Sequence, residues 1–144
     1  MCFGVKINWG KWLVAGILGG IVYAVVSNVL MMVSGTSVLY TETAQLWKPM
    51  MDSSWFMGMI ALNFIAALLL AFAYAMLHKA LPFSGAKAGA VLGFLAWLAV
   101  GLPGMLITYW TMAIPTTIVV EWTINGLLQT LLGGAVIGAF YKVK

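Results

Sequence analysis

Four apolar runs, each about as long as the hydrocarbon core of a bilayer is thick, divide this chain and leave it few folds to adopt. A helix needs about 20 apolar residues to cross about 30 Å of hydrocarbon. Trp12 to Val33, Trp55 to Leu77, Ala88 to Trp110 and Ile118 to Tyr141 each supply that length. Peptide groups find no water in a bilayer, so such runs must satisfy their hydrogen bonds internally, as helices. The expected fold class is all-α: an integral membrane four-helix transmembrane bundle of up-down topology, a single domain over residues 1–144 with a long outer loop at 34–54. A soluble fold is excluded by composition. Charged residues make up 7% of the chain and hydrophobic ones 64%, whereas about a quarter of a soluble domain is charged.

The charges are sorted by side. Lys6, Lys11, Lys79, Lys87, Lys142 and Lys144 fall in the first, third and fifth polar stretches. Glu42, Asp52 and Glu121 fall in or beside the second and fourth, with Lys48. The positive-inside rule then puts both termini in the cytoplasm and the chain in the cytoplasmic (inner) membrane. The net charge of +4 comes from scattered lysines without arginine, unlike the clustered patch of a nucleic-acid reader, so nucleic acid is not an expected partner. The first run is longer than a signal core and has no small-residue cleavage pattern after it, so it is expected to stay as a span. Cys2 is the single cysteine, which rules out an internal disulfide.

Small residues recur every fourth position toward the lysine side: Gly16 and Gly20, Gly89 and Gly93, Gly134 and Gly138, with Ala67, Ala71 and Ala75 in the second run. Such faces let helix backbones approach closely where no hydrophobic effect drives association. The inner half of the bundle is therefore expected to be tight and dry. Trp55 and Tyr74, like Trp122 and Tyr141, are 19 residues apart, about 28 Å along a helix. Aromatic belts at both interfaces account for this better than an internal duplication.

The outer half is more polar. Asn28, Asn63, Thr108 and Asn125 come one from each run and sit at similar depth, where polar side chains normally face the bundle interior. Glu121, Asn125 and Gln129 form an i, i+4, i+8 stripe. Gly101-Leu102-Pro103-Gly104 interrupts the third helix and should bend it, freeing a carbonyl for a neighbouring Asn or a water. The loop's Val38-Leu39-Tyr40 and Leu46-Trp47 suggest a segment lying on the membrane or folding back as a short helix. Asp52, Ser53 and Ser54 are suited to cap the second span. Two readings of the polar slab stay open: hydrogen-bonded glue between helices, or an outward-facing cavity with Glu121 at its mouth. Glu121 itself either sits among headgroups beside Trp122 or, if the last helix starts near Pro115, lies inside.

Chemistry-bearing constellations are sparse. Eight methionines (Met31, Met32, Met50, Met51, Met57, Met59, Met105, Met112) gather toward the outer side. Thioethers suit Cu(I), but residues two apart on a helix diverge and no His or Cys joins them, so no metal site and no cofactor is expected. His78, the one histidine, suits a helix C-terminal cap. It lies on the opposite side from every acid, so no Ser/His/Asp set can form. The cysteine pairs of disulfide-forming quinone reductases are absent, as is the acid in the middle of the first helix that marks small multidrug exporters. The functional expectation is a non-enzymatic integral membrane protein, an accessory, assembly or structural component of a membrane complex, with the lipid bilayer and other subunits or self-association as partners. The alternative is binding or transport of a small solute or cation through a polar cavity around Glu121, Asn125 and Gln129.

Overall fold

A computed structural model describes residues 6–46 and 53–141. All its regular elements are helical. They are α1 (Trp9–Val33), α2 (Ser37–Glu42) followed by a 3-10 turn (Ala44–Leu46), α3 (Ser53–Leu77), α4 (Gly85–Ala96), a π-helical turn (Trp97–Gly101), α5 (Leu102–Thr111) and α6 (Thr116–Phe140). Four helices are long and apolar enough to cross a membrane: α1, α3, α6 and the continuous α4–π–α5 span from Gly85 to Thr111. Each begins two or three residues before its apolar run, because the first turn of a helix exposes N–H groups that prefer polar company. At α1 the Asn8 side chain supplies it, accepting from the Lys11 N–H at 3.0 Å. The proposed cap Asp52, like Cys2, Lys48, Met50, Met51, Lys142 and Lys144, lies outside the described residues.

The spans turn apolar side chains outward as well as inward. Val25, Leu62, Leu69, Ile107 and Trp110 are all exposed, which water would penalise and lipid does not. Packing therefore relies on close approach, and glycine provides it. α6 is central, lying along α4 on one side and α1 on another, while α1 also pairs with α3. A methyl group built on Gly89 or Gly93 would overlap the backbone carbonyl of Gly134 or Thr130, and one on Gly138 would overlap that of Gly85. On α1, Gly16 and Gly20 receive Leu68 and Phe64 of α3. The residues beside these glycines, Gly19 and Gly133, serve another contact: Gly19 takes Ile137, and Gly133 takes the Tyr23 ring. Successive helical positions point about 100° apart, so each glycine doublet opens two faces of one helix to two neighbours.

The core lies at one end of the bundle. Its cluster runs through Ala15, Ala67, Ala71, Leu92 and Ile137 to the tyrosines Tyr74 and Tyr141. The Asn8 N–H donates to the Tyr141 hydroxyl at 3.2 Å, and the Tyr74 hydroxyl donates to the Gly85 carbonyl at 3.3 Å. His78 packs against both tyrosine rings, and its Nδ1 lies 2.9 Å from the Ala75 carbonyl, an arrangement that requires a proton on Nδ1. The histidine therefore ties down the last turn of α3. Tyr74 and Tyr141 correct the belt reading. They are 3% and 2% exposed, so they meet inside the bundle rather than at its lipid surface, and their equal spacing from Trp55 and Trp122 aligns α3 with α6.

The other end is splayed. No residue of α3 before Ala67 is buried, nor any residue of α5. The bend expected near Pro103 takes the form of the π turn. The Leu102 N–H reaches back five residues to the Trp97 carbonyl, widening the helix where proline would strike the preceding turn. The asparagines are engaged elsewhere. The register shift, not an amide side chain, accommodates the proline. The Trp97 indole N–H donates across to the Thr123 carbonyl of α6 at 3.1 Å, pinning the turn against the central helix.

Candidate functional site: a cavity in the splayed half

Where α1, α3 and α5 part from α6, they leave a partly open cavity of about 800 Å³. Ligand pockets commonly measure about 300–1,000 Å³. Its floor is a hydrogen-bonded amide bridge. The Gln129 side chain on α6 donates to the Tyr23 carbonyl of α1 at 3.0 Å and to Asn63 Oδ1 of α3 at 3.1 Å. Asn63 in turn donates to the Met59 carbonyl at 3.1 Å. One glutamine therefore joins three helices at the level where the tight half gives way to the open one.

One turn above, Asn125 is incompletely satisfied. Its Nδ2 reaches Ser27 Oγ at 3.4 Å, while its buried Oδ1 has no protein partner. Exchanging the amide's oxygen and nitrogen would turn the acceptor to the serine hydroxyl and leave the NH₂ unpartnered instead. Either way a buried polar atom beside the cavity lacks a protein partner, which costs free energy unless water or a ligand supplies one.

Glu121 forms the wall between this cavity and a smaller one of about 190 Å³. α6 starts at Thr116, so the carboxylate lies more than a turn inside the helix, and it is buried. Its side chain is therefore covered by protein rather than presented outward. Ser34 and Thr36, just beyond α1, donate their hydroxyls to its two oxygens at 3.1 and 2.6 Å. The same segment brings Tyr40 of α2 over the site, where its phenol accepts the Trp122 indole N–H at 2.6 Å. Burial raises the Tyr40 phenol above its ordinary value near 10; the indole hydrogen bond opposes this, and the Glu121 charge adds to it. The connection thus folds back onto the end of the bundle and is fastened to α6 by hydrogen bonds.

No family model matches the chain, and no curated protein or solved structure is significantly similar to it. Of the slab residues expected from the sequence, Asn63, Asn125, Gln129 and Glu121 converge here. Asn28 stands at the edge, exposed, its amide donating to the Ala24 carbonyl of its own helix at 2.7 Å. Thr108 does not join them: its hydroxyl returns to the Gly104 carbonyl at 2.9 Å, and α5 contributes Met105 to the lining instead. Glue and cavity coexist, amide bridges holding the frame and open space lying above them.

Aromatic and thioether groups complete the lining. Trp55 and Phe56 of α3 and Trp122 of α6 stand around the space, and Met31, Met59 and Met105 come from three different spans. Met32, Met57 and Met112 are exposed, and Met50 and Met51 lie outside the described residues. The sequence reading missed Ser27, Ser34, Thr36 and Tyr40 as partners. The adjacency of Ser27 to Asn28, and the aromatic character of the loop, were the signals available for them. Chemically the lining offers hydrogen-bond donors and acceptors, π faces, soft sulfurs and one carboxylate.

Proposed function

We propose that this chain is an inner-membrane protein that binds a small molecule in the cavity without converting it. The observation that carries this reading is the cavity itself, with the Gln129 and Asn63 amides converging on its floor. Mostly apolar walls with a few fixed polar groups are the usual build of a small-molecule site. We further propose that the closed, lysine-bearing end faces the cytoplasm with both termini, as the distribution of lysines favours, so that the cavity opens outward. A fluorescent reporter that matures only in the cytoplasm, fused after Lys144, should then fluoresce; a dark fusion at normal expression would reverse the orientation.

Access is tested by thiol labelling in a Cys2→Ser background. Asn28→Cys, Asn125→Cys and Gln129→Cys should react with a small membrane-impermeant methanethiosulfonate added from outside, whereas Ala71→Cys, at a fully buried position, should not. If none of the three reacts, the slab is dry and the binding reading fails.

A second reading, an accessory subunit of a membrane complex, is favoured by α5. None of its residues is buried, and Trp110 at its end is 83% exposed, which leaves the helix free to pack on another subunit or a second copy. Purification in mild detergent that returns a homogeneous monomer with no associated chain would remove this reading.

A further inference from the structure

Taken as a binding cavity, as proposed above, the space discriminates by charge. Among the described residues that line it, Glu121 alone is formally charged. Its oxygens are held by hydroxyls rather than by a cation. Each carboxylate oxygen can accept about two hydrogen bonds, so acceptor capacity remains after Ser34, Thr36 and the Tyr40 phenol are counted. A buried carboxylate keeps its field, because the surrounding protein screens it less than water would. An anion entering this space would meet repulsion and no basic group among the described lining residues.

The rest of the lining narrows the choice further. Tyr40, Trp55, Phe56 and Trp122 bring four aromatic rings to the same cavity. Ring faces attract cations, most strongly when the cation is weakly hydrated and the site is dry. A small inorganic cation such as Ca²⁺ needs six or more oxygen ligands, and among the described residues one carboxylate and a few amides do not supply them. The thioethers of Met31, Met59 and Met105 are flexible and polarisable, suited to apolar bodies of varied shape.

We propose that the cavity binds a lipophilic organic cation, its charged centre between the Glu121 carboxylate and the Trp122 and Tyr40 rings, its apolar body along Phe56, Met59 and Met105. The test uses the full chain in phosphatidylcholine nanodiscs, with empty nanodiscs as baseline. Three probes of similar shape are compared: tetraphenylphosphonium, the anion tetraphenylborate and neutral triphenylphosphine oxide. The phosphonium should bind saturably at one site, and the borate, titrated on its own, should show no saturable binding above the empty-nanodisc baseline. Glu121→Gln should weaken phosphonium binding by about tenfold or more, as expected for loss of a charge-assisted contact, and weaken the neutral oxide by several-fold less. Trp55→Leu, which removes a ring but no observed cross-helix hydrogen bond, should weaken the phosphonium by roughly two- to fivefold. If the oxide binds as tightly as the phosphonium and Glu121→Gln changes neither, the charge preference is refuted although the cavity still binds. If no probe exceeds the lipid baseline while the thiol labelling above succeeds, the organic-cation inference falls and an accessible cavity for another ligand stands.

Discussion

Gly89→Val should prevent this bundle from assembling normally, whereas Gly58→Ala should leave it as stable as before or slightly more so. Both glycines sit inside long apolar helices, and helix propensity alone would favour both changes, by about 1 kcal/mol for Gly→Ala. The difference lies in what a side chain would meet. At Gly58 there is open space within 4 Å, while at Gly89 the first atom encountered is the backbone carbonyl oxygen of Gly134. A carbonyl in a helix cannot rotate aside as a leucine can, so α4 and α6 would have to separate along their whole contact. Overpacking typically costs about 1–3 kcal/mol and more when no rotamer yields, and Gly89→Val should reach or pass the top of that range. Gly16→Ala and Gly20→Ala should fall between the extremes, because their new methyl groups meet the movable side chains of Leu68 and Phe64. Thermal unfolding in detergent, read with the monodisperse fraction on size exclusion, gives the order. A Gly89→Val protein as stable as the parent would mean that α4 and α6 do not pack backbone to backbone.

That ordering separates what the sequence discloses from what it conceals. Glycines four apart mark a packing face because the helix period brings them into line, and the four long apolar helices follow from run length alone. The first member of each doublet, Gly19 and Gly133, carries no periodic signal, so the double-faced role of α1 and α6 emerges only when the neighbours are in place. Tyr74 and Tyr141 illustrate a related limit: spacing places them at one level of the membrane, yet nothing in spacing distinguishes a ring facing lipid from one facing the core. The slab was legible for Asn63, Asn125 and Gln129, whose helices are regular. It failed at Thr108 because similar depth does not say which way a side chain turns, and this hydroxyl bonds back to its own helix. The fastening of Ser34, Thr36 and Tyr40 around Glu121 was illegible for a different reason. Six residues of α2 are too few to show a period, and their conformation is fixed by contacts made far away in sequence.

Those contacts give the second large effect: Glu121→Ala should release the connection from Ser34 to Leu46 while leaving the glycine-packed half intact. α2 has six residues, far fewer than an isolated helix needs to persist in water, so its order depends on being fastened. The fastening is the carboxylate, which holds the Ser34 and Thr36 hydroxyls. Hydrogen bonds to charged groups are worth about 1.5–3 kcal/mol, and a buried hydroxyl left unpartnered adds a cost of its own. Thr36 is 3% exposed, so water cannot readily replace the lost acceptor. Thr36→Val should loosen the same segment by a comparable amount. Combining it with Glu121→Leu should cost less than the sum of the two single changes, because removing both partners leaves neither stranded. Glu121→Gln should be milder than Glu121→Ala, since one acceptor oxygen remains. Hydrogen exchange resolves the effect: protection across residues 37–46 should fall in Glu121→Ala and Thr36→Val while amides of α4 and the second half of α6 stay protected. High pH offers an independent check. The Tyr40 phenol is raised above its ordinary value in the folded chain, so its share of the fastening is complete below about pH 10 and is lost as pH rises through the folded value. Undiminished protection of 37–46 in Glu121→Ala would show that the carboxylate does not hold the connection, and would detach Glu121 from the architecture of the cavity it borders.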